Sequence, residues 1–154
     1  MSTRALAFLK QKRIAHETVK YEHEEKGAEF AARAVGFPLD RTIKTLVVAL
    51  DNIAYVLGLM PGDRQLSLKK IAAACGAKKA AMADRTTAER LTGYLLGGIS
   101  PFGIRQQLPA VMDSGLQAHD SVMINGGRRG LMVKMAPGDI VDVLNARIAA
   151  IAQD

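Results

Sequence analysis

The run Ile43-Lys44-Thr45-Leu46-Val47-Val48-Ala49-Leu50 constrains this chain more than any other segment. Its aliphatic and β-branched residues do not alternate with polar ones, which suits a strand apolar on both faces at the centre of a sheet. Asp51-Asn52 makes a tight turn, and Ile53 to Met60 supplies the partner strand. Lys44 is the one charge in the run. An ammonium among such neighbours must snorkel to water, pair, or meet a ligand, because burying it alone is costly. Two readings stand: a fixed cation beside a carbonyl, phosphate or leaving oxygen, or a strand-end lysine with a solvated head.

Helices and strands intersperse around that hairpin. Thr3 caps a first helix carrying Leu6, Leu9 and Ile14, and Glu17 to Tyr21 alternates as a short strand. Gly27 to Val35 reads as a helix that Gly36 ends; Ser67 caps another, with Leu68, Ile71, Ala72 and Cys75 near one face before Gly76. Ala80 to Ala83 is too short to classify, and Asp84 caps a helix through Leu91. Ser121 to Ile124 and Leu131 to Met135 read as strands, and Pro137 opens a last helix with Asp139 near its positive end. The pattern predicts a mixed α/β fold, one mixed sheet with packed helices, in a single domain over 1–154. With 154 residues, such a domain buries about two-thirds of its extended surface and needs no staples.

Charge narrows the partners. Lys and Arg number 21 against 15 Asp and Glu, a net +6, and the excess is spread: 12 minus 8 through Cys75, then 9 minus 7. There is no detached basic tail, so the surplus sits on folded surface and favours a polyanion. No apolar run reaches the roughly 20 residues of a membrane span, and Met1-Ser2-Thr3-Arg4 does not lead into a signal-peptide core. A cytoplasmic, reducing location is expected. One cysteine excludes an internal disulfide, and His16, His23 and His119 lack the spacing of a metal site; neither metal nor cofactor is expected.

Two glycine-dense segments can carry chemistry. Gly97-Gly98-Ile99-Ser100-Pro101-Phe102-Gly103 can bring backbone amides close to a ligand, with Pro101 restricting the loop and Ser100 adding a hydroxyl; a structural turn is the competing reading. It lacks the Gly-Lys-Ser/Thr ending of a nucleotide P-loop. Gly126-Gly127-Arg128-Arg129-Gly130 presents two arginines that reach phosphate or lie solvated in a hairpin. Lys69-Lys70 and Lys78-Lys79 flank one helix and can extend a positive strip. Tyr21-Glu22-His23 lines a pocket mouth or ends an exposed strand. Cys75 lies on an apolar helix face and reads as a core thiol, and neither Ser100 nor Ser121 has a histidine–carboxylate arrangement beside it.

Together, Lys44-Thr45-Leu46-Val47-Val48, Leu68-Lys69-Lys70 with Gly76-Ala77-Lys78-Lys79, Thr92-Gly93-Tyr94 running into Gly97-Gly98-Ile99-Ser100-Pro101, and Gly126-Gly127-Arg128-Arg129-Gly130-Leu131 closely resemble the YbaK family. These are free-standing bacterial deacylases related to the editing domain of bacterial prolyl-tRNA synthetase, and the resemblance runs from Tyr21 to the last helix. It implies a curved, partly closed mixed sheet and trans-editing: removal of cysteine from mischarged Cys-tRNA(Pro), and in some members from Cys-tRNA(Cys). It also implies that Lys44 is the essential lysine near the aminoacyl ester, that Gly97 through Pro101 shape the pocket floor, and that Tyr21 lines the pocket. A complex with prolyl-tRNA synthetase is a further implication, and no membrane is involved.

Two departures bear on specificity. Family members often carry an aspartate where Met132 stands, and the pocket phenylalanine is matched here only by Phe30 in a shorter segment. The amino acid removed is therefore open between cysteine and another small residue such as alanine. With no protein nucleophile in view, the substrate's own thiolate or vicinal ribose hydroxyl is expected to assist, Lys44 stabilising developing negative charge. Two non-editing classes share the charge and the glycine loops: a non-catalytic tRNA-binding module and a small-nucleotide binder.

Overall fold

The structure is a computed structural model that describes residues 3–22, 32–33 and 35–154. The hairpin read from the sequence is its spine. Strand β2 (Thr42–Leu50) pairs antiparallel with β3 (Ala54–Pro61), from Ile43↔Pro61 to Leu50↔Ala54. Asp51 (φ 53°) and Asn52 (φ 59°) both take the left-handed conformation, and Ile53 N–H closes the turn on Leu50 C=O at 3.0 Å. Asp and Asn tolerate that region better than other side chains, so the turn type follows from the sequence.

Six further strands join this pair: β1 (Glu17–Lys20), β4 (Ala80–Met82), β5 (Ala110–Asp113), β6 (Val122–Asn125), β7 (Leu131–Met135) and β8 (Arg147–Ala149). Their order is β1-β7-β6-β2-β3-β5-β8, with β4 also on β2. The pairs β2·β6, β3·β5 and β5·β8 are parallel and the rest antiparallel, so the sheet is mixed as expected. The β5 and β8 strands were not read from the sequence. Four residues of β5 after Pro109 are too few to show a period, and only their place between β3 and β8 makes them a strand.

Helix α1 (Arg4–Gln11) starts where Thr3 Oγ accepts Leu6 N–H at 3.1 Å, and it ends before Ile14. Ala5 and Leu9 are buried against one face of the sheet, with Ile43, Val47, Leu57, Leu59, Ile124 and Val133. Helix α2 (Leu68–Ala74), capped by Ser67, puts Ile71 on the opposite face with Val48, Val56, Met60 and Val111. Helix α3 (Arg85–Thr92) is capped by the Asp84 carboxylate on Thr87 N–H at 2.7 Å, and α4 (Pro137–Leu144) has Pro137 in its first turn. Of the helix expected over Gly27 to Val35, only Ala32, Arg33 and Val35 are described, and these are helical; Phe30 lies outside the described residues. No helix among the described residues is long and apolar enough to cross a membrane.

Candidate active site

Side chains alternate across a strand, so register decides which residues share a face with Lys44. Thr42 pairs with Met123 and Ile43 with Ile124, which makes Lys44 and Asn125 the next residues along two parallel strands. Asn125 pairs with Met132, and Met132 with Val19. Lys44, Asn125, Met132 and Val19 therefore occupy one face, with Met60 opposite Lys44 on the other side. Tyr21, two residues beyond Val19, is held by its N–H on Gly130 C=O at 3.0 Å and packs with Val19 and Phe37 against the buried Met123 and Met132.

Lys44 thus stands between two apolar clusters, the methionine pair on one side and Met60, Leu46 and Val48 on the other. It is half-buried, and burial pushes its pKa below the usual lysine value; the charge of Asp63 opposes the shift. Among the described residues its ammonium has no hydrogen-bond or ion-pair partner. A half-buried cation with no contact partner, and only the more distant field of Asp63, is a poor structural element and a good anchor for an anion or a developing oxyanion.

The glycine loop reaches this face through Asn125. Its Nδ2 donates to Gly97 C=O at 3.2 Å, and its Oδ1 accepts Gly127 N–H at 2.7 Å, so one side chain ties both glycine segments together. From the sequence Asn125 reads as the first residue of the turn, and the polar end of an apolar strand is the signal that marks it. The two segments are in backbone contact. A Cβ on Gly98 would lie 2.7 Å from Arg128 Cα, 3.0 Å from its carbonyl carbon and 3.1 Å from Arg129 N. Gly97 (φ 94°) and Gly127 (φ 105°) both sit in the left-handed region that glycine enters freely. Thr3 Oγ also donates to Gly126 C=O at 2.5 Å, which pins α1 on the turn.

Inside the loop, Tyr94 O–H donates to Phe102 C=O, and burial raises the phenol to about 12. Ser100 is fully buried and its Oγ accepts Phe102 N–H at 3.1 Å. Gly98 N–H goes to Leu95 C=O at 2.8 Å, whereas the amides of Ile99 and Ser100 donate to nothing among the described residues. Ile99 and Pro101 are buried, and Ile99 belongs to the core on the α1 side.

Two cavities flank the arginine turn. One, about 450 Å³, is lined by Lys20, Tyr21, Glu22, Arg128 and Gly130. The other, about 540 Å³, lies between Arg85, Tyr94, Leu95, Gly98 and the Arg128-Arg129 pair. Arg128 borders both.

The lysine pairs sit elsewhere. Lys70 Nζ is engaged by Ala152 C=O at 2.9 Å and Asp154 Oδ1 at 2.7 Å. Lys78 and Lys79 donate their backbone amides to Asp51 at 3.0 and 2.9 Å. That places them past the far end of β2, roughly 20 Å along the strand from Lys44. Lys69 is exposed on α2. Cys75 caps α2, partly buried, and burial raises its thiol pKa, which keeps it protonated and unreactive near neutrality.

Comparison with known proteins meets this geometry. Residues 22–143 match the family model described as an aminoacyl-tRNA editing domain. A protein of Enterococcus faecalis, EbsC, named for a proposed Cys-tRNA(Pro)/Cys-tRNA(Cys) deacylase activity, is 31% identical over 151 residues, covering 97% of this chain and 92% of that protein. The multifunctional Ser/Thr-tRNA deacylase ProXp-y of Escherichia coli K12 is 26% identical over 144 residues, covering 91% and 86%. A solved structure described as a proposed trans-editing enzyme for prolyl-tRNA synthetase superposes with a TM-score of 0.89 at 25% identity, covering 100% of this chain and 99% of that one. This chain, whose mixed sheet carries Lys44 at the end of β6 and whose glycine loop is tied to Asn125, is a member of the aminoacyl-tRNA editing domain family.

Proposed function

We propose that this chain is a free-standing editing deacylase that removes cysteine from Cys-tRNA(Pro), and also from Cys-tRNA(Cys). The observation that carries the reading is the unpaired, half-buried Lys44, which shares a sheet face with Tyr21 and Met132 and adjoins the Asn125 that suspends the Gly97 loop. The similarity to EbsC supports the substrate.

The amino acid lies over Met132 and Tyr21, with Phe30 completing the pocket. Gly97, Gly98, Ile99, Ser100 and Pro101 form its floor, and the Ile99 and Ser100 amides are available to the carbonyl oxygen. Lys44 holds the ribose end and stabilises negative charge as the ester breaks. The substrate thiolate attacks its own carbonyl carbon; a carbon–sulfur bond forms, the ester carbon–oxygen bond breaks, and the ribose oxygen leaves and takes a proton. Arg128 and Arg129 meet the phosphates of the tRNA end. The remote Lys69, Lys78 and Lys79 extend the field, and Lys70 adds charge while bonded to Ala152 and Asp154. The enzyme acts in the cytoplasm, alone or bound to prolyl-tRNA synthetase, as one domain over 1–154, with no cofactor.

A second reading follows from the likeness to the Ser/Thr-tRNA deacylase and from Met132, which puts no carboxylate beside the substrate amine: release of another small residue by water that the vicinal hydroxyl assists. One assay separates the two. Cysteinyl-, alanyl- and seryl-tRNA are presented side by side and the released small molecule is identified. Preferential cysteine release as the cyclised thioester supports the first reading. Serine or alanine release at the greater rate replaces it with the second, and tRNA affinity without release of any amino acid overturns both.

A further inference from the structure

We propose that the 540 Å³ cavity behind the arginine turn seats a nucleotide of the single-stranded tRNA end, immediately preceding the esterified ribose. This rests on the editing reading and adds to it a second subsite, built from residues that reading does not use: Arg85 and Leu95.

Three observations converge. First, the cavity is cationic. Arg85, Arg128 and Arg129 line it, and Arg4 and Arg105 stand just outside, within 2.6 and 3.4 Å of where a Gly93 side chain would begin. The opposing charge is Glu89, whose Oε2 is 3.4 Å from Arg85 Nε and accepts Leu96 N–H at 2.7 Å. Arg129 is aimed by a 3.5 Å bond from Nη2 to Leu96 C=O, and Arg128 is exposed with no partner among the described residues. Second, the cavity has an apolar rim. Leu95 lines the cavity and is 73% exposed, so it offers an accessible aliphatic surface on which a base can lie. A guanidinium cluster beside an apolar platform recognises a phosphate with a base attached. Third, the cavity adjoins the site across one residue. Arg128 borders both this cavity and the one that holds Tyr21, so a strand with its ester on the Tyr21 side reaches Arg85 and Leu95 by crossing Arg128.

The test measures binding of the uncharged trinucleotide 5′-CCA-3′ and of adenosine 5′-monophosphate to the full chain. Arg85→Ala and Leu95→Glu are compared with the parent, and Tyr94→Phe serves to report on the loop itself. Arg85 and Leu95 are exposed side chains, so both variants keep the fold, which a thermal melt checks. The expected result is that the parent binds CCA about tenfold more tightly than the mononucleotide and that each variant removes most of that difference. The slope of log affinity against log salt for CCA falls by about 0.7 in Arg85→Ala, the value of one single-strand phosphate contact. Equal affinity for trinucleotide and mononucleotide, or variants that bind CCA as the parent does, overturns the proposal. Loss of deacylation with CCA discrimination intact counts against the editing reading alone. Intact deacylation with no CCA discrimination counts against this subsite alone.

Discussion

Replacing Gly98 with alanine tests whether the glycine loop and the arginine turn act as one body. Gly98 has no left-handed backbone angle, so alanine is not strained by conformation, and the smaller unfolded-state entropy alone would stabilise the variant by roughly 0.4–1 kcal/mol. The added methyl, however, meets Arg128 Cα at 2.7 Å, its carbonyl carbon at 3.0 Å and Arg129 N at 3.1 Å. All three are backbone atoms, and none can rotate away. Relief requires the loop and the turn to separate by several tenths of an ångström, and overpacking of this kind costs about 1–3 kcal/mol. The net is a loss of about 1–2 kcal/mol in urea unfolding. In the proposed site activity should suffer more, because separation would move the Ile99 and Ser100 amides relative to Lys44, and misplacing catalytic groups by about 1 Å costs on the order of a hundredfold. Single-turnover release from cysteinyl-tRNA should therefore fall about a hundredfold in a protein that is still folded. Gly138→Ala is the control: nothing lies within 4 Å of its added methyl, in a helix, and its rate should match the parent. A Gly98→Ala protein with parental stability and parental single-turnover rate would refute the contact and the shared site built on it.

Lys44→Met should keep the fold and lower the single-turnover rate by at least about a hundredfold, since it removes the charge and retains the length. In the parent, the rate should decline with rising pH at a value below that of a free lysine, because burial lowers the Lys44 pKa; the folded chain then binds fewer protons than the unfolded one over that interval, so stability should rise with pH there while activity falls. Asn125→Ala deletes the bonds to Gly97 C=O and Gly127 N–H, and should cost about 2 kcal/mol of stability and lower kcat more than it raises KM, measured by urea melts and steady-state kinetics. Cys75→Ser should leave turnover unchanged, a thiol of raised pKa at the end of α2 having no part in the chemistry; complete loss of rate in the folded variant would place that thiol in the site.

The parts of the fold that local chemistry determines were legible. Asp51-Asn52 specifies its turn by the backbone region its residues tolerate, and Thr3, Ser67 and Asp84 cap the helices their side chains predict. The strand Ala110–Asp113 was not legible, since its one polar residue turns inward to accept Ile151 N–H at 3.0 Å, a partner 38 residues away. The candidate site divides in the same way. Lys44 stood out because a charge in an apolar strand needs a cause, whereas its proximity to Met132 and Tyr21 depends on the register of three strand pairs and on no spacing along the chain. Asn125 looked like a turn former beside two glycines; its bond to Gly97, 28 residues away, gives it another role. Lys70 reads from the sequence as part of a positive strip, and its bond to Asp154, 84 positions on, is one that no local spacing signals.

The place of the site follows from the way β2 shares one of its edges. Along that edge β2 pairs with β6 over Thr42–Ile43 and with β4 over Val48–Leu50, and Ala83 N–H takes Val47 C=O at 3.0 Å. Lys44 lies where β6 has ended and β4 has not begun, and the chain leaving β6 at its carboxyl end becomes the arginine turn. That gap leaves Lys44 half-buried beside Met60 on β3, with no contact partner among the described residues and only the field of Asp63 acting on it. In the proposed site, methionine at position 132 supplies no carboxylate that could pair with the substrate amine. On the proposed route, an apolar wall would discriminate by only about 1–3 kcal/mol per methylene, and the greater part of the selectivity would then come from which bound amino acid carries a group able to attack its own ester.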